Sequence, residues 1–424
     1  MTGEGRLNLP KGFRKLSITE RREALRAALR LSGEEVDALP ADRLELADVM
    51  VESAVGYLPV PFGIATGFLV DGETYDVPMA VEEPSVVAAA TYAAGLISAA
   101  GGFSTWASDP VMTAQIFLEE VPQGREAEIL RREPELRGVL ATTLASLLAR
   151  GGGYRDLSVQ RMPESGIVRV HLRVDVRDAM GANILNTAAE GARKLLEEMS
   201  GGRALMCILS NDAGRRRAGA SFRLPTARLA RGSVSGEEAA RRIERASLLA
   251  QEDPSRAITH NKGVMNGISS LALATGNDTR GVEAGVHYWA CRDGRYRGVT
   301  SFVSRNGFLE GSIEVPLALA TVGGSVGLHP ACALALRLLG SPDGPGLCRI
   351  AAALGLAQNF AALFALVTEG IQRGHMRHHS ARLALAAGAK GEEIRLLAER
   401  IAAGGSYKLE AAADLLAKIR KGRP

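Results

Sequence analysis

The sequence predicts an α+β multidomain protein, a large, mainly helical domain with a smaller ferredoxin-like βαββαβ domain inserted into it. Three observations carry this expectation. At 424 residues the chain exceeds the size that one hydrophobic core serves. Between Val111 and Leu209 the apolar pattern alternates between strand and helix periods in the order βαββαβ. On either side of that stretch the spacing is mostly helical, and a last block of amphipathic helices follows Gly-rich breaks.

Taken in order, Ser17 and Glu20 form a capping box ahead of ITERREALRAALRL, and Leu44 to Gly56 continues at helical spacing. FLVDGETYDVPMAV places Asp71-Gly72 between apolar runs, the signal of a tight hairpin, and delivers the chain to Glu82-Glu83-Pro84-Ser85. Val86 to Ala100 reads as a buried Ala-rich helix. Within the insert, QIFLEEV is a strand, Glu126 to Ala149 one helix, Ile184 to Met199 a second, and ALMCILS the last strand. The clearest strand has Val168, Val170, Leu172, Val174 and Val176 alternating with Arg169, His171, Arg173, Asp175 and Arg177, so the second set is expected on a wet face. The C-terminal helices are GEEIRLLAERIAA and YKLEAAADLLAKI.

The composition narrows the function. A net charge of +4 is thinly spread, and the densest basic run, Arg215 to Arg217, reads as a wet loop, so no nucleic-acid partner is expected. The four cysteines, Cys207, Cys291, Cys332 and Cys348, have no zinc-ligand spacing and read as free thiols. His375, His378 and His379 are close together but lack partner cysteines or carboxylates, so no metal is expected. No stretch approaches about 18 uninterrupted apolar residues, and the N-terminus lacks a signal-peptide core. A cytoplasmic protein with no membrane contact is the expectation.

Polar residues concentrate in Gly- and Asn-rich segments off the amphipathic faces: Glu82 to Ser85, Asp178 to Asn183, Thr259 to Gly267 with Gly276-Asn277-Asp278, and Glu369 to His375. Neither GxGxxG after a strand nor GxxxxGK[ST] occurs. The strings EEPS, DVRDAMGAN, THNKGVMNG, ATGND, GLAQN and TEGIQRGHM resemble, in order and over nearly the whole chain, the signature segments of class II 3-hydroxy-3-methylglutaryl-CoA (HMG-CoA) reductases. The resemblance implies a large acyl-CoA-binding domain from residues 1–109 and 216–374, a small ferredoxin-like dinucleotide-binding domain over 110–215, and a C-terminal helical flap over 375–424. It further implies interconversion of HMG-CoA with mevalonate plus CoA, using two NADH or NADPH, and a homodimer or an assembly of dimers with sites at the subunit interface.

By this resemblance Glu83, Lys262, Asp278 and His375 fall on catalytic positions. The chemistry needs such residues: each of two hydride transfers turns a carbonyl into an oxyanion, which a fixed cation stabilises by several kcal/mol, the role of Lys262. His375 would protonate the departing CoA thiolate. Glu83, if buried near the substrate, would protonate the final alkoxide, and Asp278 would hold Lys262 in position. Arg14 corresponds to a contact with CoA phosphates, and Ser85, Arg256, Thr259, Asn266 and Gln358 to positions around the hydroxymethylglutaryl group. Asp178, Met180, Gly181 and Asn183 correspond to the dinucleotide loop, where amides at a helix start meet a pyrophosphate.

The chain departs from the family pattern at one point. Members that prefer NADH can carry an Asp on the helix before the GGG turn, where it binds the adenosine ribose. Here Leu144 to Arg150 contains no acid, which leaves the cofactor preference open and offers Arg150 to a 2′-phosphate. Two rival functions remain: a catalytically silent acyl-CoA-binding protein of this fold, and a reductase of a related 3-hydroxyacyl thioester.

Overall fold

The computed structural model describes residues 9–32, 39–368, 380–404 and 407–421. The Asp71-Gly72 signal produces a hairpin between β1 (Phe62–Val70) and β2 (Glu73–Ala80), with Val70 opposite Glu73. Asp71 and Gly72 both take positive φ, at 50° and 89°, as a tight two-residue turn requires. The hairpin leads through Glu82–Ser85 into the helix Val86–Ser98.

A four-stranded antiparallel sheet forms from β3 (Ser104–Ala107), β8 (Arg217–Pro225), β10 (Phe308–Pro316) and β9 (Thr300–Arg305), in that order. Packed with it are the helices Gly236–Glu252, Pro254–Ala274, Thr279–Trp289 and Gly344–Thr368. The last is long and apolar enough by length and composition to cross a membrane, although Gln358 and Asn359 interrupt its apolar run, and most of it is buried inside the fold. Its hydropathy is that of a central core helix.

The second core gathers residues from Met112 to Ala213, with Ala318. Its strands are β4 (Val111–Glu119), β5 (Gly153–Arg161), β6 (Val168–Asp175) and β7 (Arg203–Leu209), arranged β5-β6-β4-β7, all antiparallel. With helices after β4 and after β6, this is the ferredoxin-like βαββαβ arrangement that the alternating periods predict. The single helix expected from Glu126 to Ala149 is three: Arg125–Arg131, Glu133–Thr143 and Ala145–Leu148. Pro134 explains the first break, because it has no N–H to donate and fits only a helix's first turn.

On β6 the aliphatic set is buried as expected, but Asp175 is not wet. It is fully buried, 2.5 Å from Arg155 Nη2, and its carboxylate accepts the Arg177 backbone N–H at 3.0 Å. His171 is half-buried, its Nε2 2.9 Å from Gln115 Nε2, and burial lowers its pKa from the ordinary histidine value.

At the C-terminus, the helices Glu392–Gly404 and Leu409–Arg420 share a small core of their own with Ala384 and Ala389. Arg382, at the start of this unit, donates to the Glu82 carbonyl at 2.6 Å.

Candidate functional site

The segment THNKGVMNG, read from sequence as lying off the amphipathic faces, is the middle of the 21-residue helix Pro254–Ala274. Asp253 caps it by accepting from Ser255 N, and Pro254 sits in its first turn. Its glycines serve close packing: a Cβ on Gly267 would lie 3.1 Å from the Leu354 carbonyl and 3.2 Å from Gln358 Cβ. Helical spacing of three, three and four residues aligns Arg256, Thr259, Lys262 and Asn266 in one stripe. Thr259 and Lys262 in that stripe are exposed, whereas His260 and Asn261 are buried on the other side.

Lys262 Nζ reaches across to Glu83 Oε2 at 2.5 Å, joining that stripe to the loop after β2. Glu83 keeps 34% of its side chain exposed, so the deep burial expected of it is not supplied by the described residues of one chain. Two residues on, Ser85 adopts φ 73°, a left-handed conformation that costs a non-glycine residue of order 1–3 kcal/mol. Its Oγ is buried with no hydrogen-bond partner among the described residues. Gln358 is only 4% exposed, and its Oε1 is likewise unpartnered. Buried polar atoms without partners are unusual, and each calls for an explanation.

A second site lies elsewhere. A cleft of about 1260 Å³ opens between the ferredoxin-like unit and the large core, lined by Asp178, Met180, Gly181 and Asn183 and also by Arg150, Arg177 and Asp278. Gly181, at φ 107°, precedes the helix Ala182–Ser200, whose first turn has no side-chain cap. A Cβ there would sit 2.8 Å from Val176 Cγ1, so both conformation and space demand glycine.

The loop is held from below. Asp178 Oδ1 accepts from Gly344 N at 2.8 Å, and Thr321 N donates to the Asp178 carbonyl. Arg216, read from sequence as part of a wet loop, is 2% exposed and donates to the carbonyls of Ala179, at 2.8 Å, and Leu319. Asn277 exchanges two bonds with Ala320 on the facing wall. Of these supports the sequence marked Asn277, within ATGND, and read Arg216 only as part of a wet basic run; Thr321 and Gly344 carried no signal.

Asp278 caps the helix Thr279–Trp289, its Oδ1 accepting from Gly281 N at 3.1 Å. It lies beyond the far end of Pro254–Ala274, and the rise from Lys262 to Ala274 alone is roughly 18 Å. Within the described residues of one chain Asp278 does not contact Lys262. Arg14 is exposed on the short turn Phe13–Lys15 and contacts neither cluster. His375, with His378 and His379, lies outside the described residues. Among the described residues no cluster of three or more His, Cys, Asp or Glu side chains is placed to hold a metal ion.

Known proteins resemble the chain along its length. A family profile described as Hydroxymethylglutaryl-coenzyme A reductase matches residues 17–380. The 3-hydroxy-3-methylglutaryl-coenzyme A reductase of Archaeoglobus fulgidus is 42% identical over 418 residues, covering 96% of this chain and 94% of that protein. A probable reductase of the same name from Borreliella burgdorferi is 35% identical over 88% of this chain and 86% of its own length. Two solved structures of the Streptococcus pneumoniae reductase, one described as class II and bound to NADPH in open conformations, superpose with TM-scores of 0.76 and 0.75. Both are 42% identical and cover 96% of this chain and 99% and 100% of theirs.

Proposed function

Because the chain belongs to the hydroxymethylglutaryl-coenzyme A reductase family, and so reduces HMG-CoA to mevalonate and CoA with NAD(P)H, we propose that Glu83 and Lys262 form its acyl-reducing centre and that the Asp178–Asn183 cleft holds the dinucleotide. The observation that carries this is the 2.5 Å Lys262–Glu83 pair, with the buried Ser85 Oγ, unpartnered among the described residues, two positions further along the same loop.

The residues present fit a dinucleotide. The Ala182–Ser200 helix offers uncapped amides to a pyrophosphate, with Gly181 leaving the backbone open to approach. Arg150 and Arg177 both line the cleft beside the Gly151–Gly153 turn, and the Leu144 to Arg150 stretch before that turn carries no acid to take a ribose hydroxyl. This arrangement favours NADPH over NADH. The bound nicotinamide supplies the hydride.

Lys262, as an ammonium, stabilises the oxyanion that each reduction creates, and its bond to Glu83 aims it. Glu83, after taking up a proton from solvent, gives it to the final alkoxide and returns to the carboxylate that pairs with Lys262. Ser85 Oγ and Gln358 Oε1 bind polar groups of the acyl chain, with Arg256, Thr259 and Asn266 along the same helix stripe. Arg14 is assigned to CoA phosphates. His375 is assigned the protonation of the CoA thiolate on the strength of the family resemblance.

The separation of Asp278 from Lys262 supports a homodimer in which one subunit's Asp278 and nucleotide cleft complete the other's Glu83–Lys262 pair. An exposed apolar strip at alternate positions, Leu58, Val60, Phe62 and Ile64, leads into the hairpin that carries Glu82–Ser85 and offers a surface for such a contact.

The experiment is nicotinamide absorbance with purified protein and HMG-CoA, run in parallel with NADPH and NADH, with mevalonate detected afterwards. Two cofactors consumed per mevalonate is the expected result. Tight acyl-CoA binding with no turnover of either cofactor would instead favour the silent binding protein.

A further inference from the structure

Behind the Lys262 stripe, the buried side of the same helix carries a polar arrangement that no step above uses. His260 is 1% exposed, Thr300 2% and Asn359 1%, and together they close a ring. Thr300 Oγ1 lies 2.5 Å from His260 Nε2 and donates to Asn359 Oδ1 at 2.7 Å; Asn359 Nδ2 then donates to the His260 main-chain carbonyl at 3.0 Å. A hydroxyl has one proton, and Thr300 spends it on Asn359, so His260 Nε2 must carry the proton in its bond to Thr300. The imidazole donates through Nε2, burial disfavours its charged form, and its Nδ1 is unpartnered among the described residues. The neighbouring Asn261 extends the clamp by donating to the Arg297 carbonyl at 2.9 Å and accepting from Val299 N.

The ring joins three elements: the helix bearing Lys262, the first residue of β9, and the helix bearing Gln358, which is Asn359's neighbour. We infer that His260, Thr300 and Asn359 are positioning residues for the reduction, fixing the rotation of the Lys262 helix against the helix that carries Gln358. The inference rests on the reading that Lys262 is part of the reducing centre. Its force comes from leverage. A helix rotation of about 10° moves a side-chain tip roughly 5–6 Å from the axis by about 1 Å. A displacement of that size at a reacting centre can lower a rate by about 10²-fold.

The test uses the full chain. Thr300→Val keeps shape and strand preference but removes the hydroxyl from the ring, and Thr300→Ser restores it. With HMG-CoA and NADPH, and rates expressed per folded protein, Thr300→Val should lower kcat about tenfold or more while leaving the KM for NADPH unchanged, and Thr300→Ser should recover most of the loss. A kcat for Thr300→Val within about twofold of the parent, or equal impairment in Val and Ser, overturns the inference. Should Thr300→Val fail to fold, His260→Gln and His260→Ala replace it. The Gln amide offers N–H where Nε2 stood, so Gln should retain activity that Ala loses, and equal activity of the two overturns the ring's role. Lys262→Met is run beside them: full activity there would sink the reading of the site itself, a failure distinct from that of the ring.

Discussion

Replacing Lys262 by Met retains the length of the aliphatic stem and removes only the charge, and the structure separates what this does to activity from what it does to stability. The Lys262 side chain is 58% exposed and Glu83 34%, so water can solvate either partner when the other is lost. A pair so placed contributes about 0–1 kcal/mol to folding. Its role at the oxyanion is a different quantity, because removing one preorganised donor there costs about 3–4 kcal/mol of transition-state stabilisation, or 10²–10³-fold in kcat. Lys262→Met should therefore lose at least about a hundredfold in kcat with HMG-CoA, and comparably with free mevaldehyde, because both hydride steps make an oxyanion. Its melting temperature should shift by no more than about 2–4 °C. Steady-state kinetics with both substrates and thermal unfolding of the same preparation measure the two effects. Retained activity would refute the role, and a fall in activity that merely follows a large loss of folded protein would refute the separation.

Other substitutions probe the cleft and the core. Arg150→Ala combined with Arg177→Ala should lower kcat/KM for NADPH by tenfold or more and change that for NADH little; parallel losses with both cofactors would show that neither arginine reads a ribose phosphate. Gly181→Ala sets a Cβ 2.8 Å from Val176 at φ 107°, a strain of order 1–3 kcal/mol, and should raise the KM for NADPH while HMG-CoA binding, followed by calorimetry, stays near the parent value. Deleting residues from 375 onward should leave acyl-CoA binding largely intact and abolish thioester reduction, and full activity in the truncated protein would exclude a role for that segment. His260 predicts an acid limb of stability. Burial, assisted by the nearby Arg256 charge, lowers its pKa from 6.5 to about 3. Between those values the unfolded chain binds the proton and the folded one does not, so stability falls as pH falls from 6.5 toward 3, by about 1.4 kcal/mol per unit. Denaturant unfolding at pH 7 and pH 5 should show that His260→Gln has a shallower dependence than the parent; identical slopes would mean that His260 is not the group responsible.

Much of this molecule is legible without coordinates because the signals involved are local. The period-two run of β6, the Asp71-Gly72 turn and the capping box at Ser17 each depend on residues a few positions apart, and backbone geometry reads them directly. The α+β class follows from the order of such segments, and the family from strings such as EEPS and DVRDAMGAN. Local signals also mislead where packing overrides them. Gly263, Gly267 and several polar residues set THNKGVMNG apart from the amphipathic faces, yet it lies within a continuous helix, where Gly267 admits close approach of the Gly344–Thr368 helix. Asp175, in phase with the exposed positions of its strand, is buried because Arg155 and a turn amide reach it, and Arg216 leaves its basic run to hold the Asp178 loop. From the sequence alone come the fold class, the family and the candidates for the reactive groups. Only the tertiary structure decides which of them meet, pairing Lys262 with Glu83, setting Asp278 in the wall of the cleft beside the Asp178 loop and leaving Ser85 Oγ and Gln358 Oε1 unpartnered among the described residues. Contact between residues as far apart in the chain as Glu83 and Lys262 depends on how helices and sheets pack, and no neighbouring residue in the sequence encodes that distance.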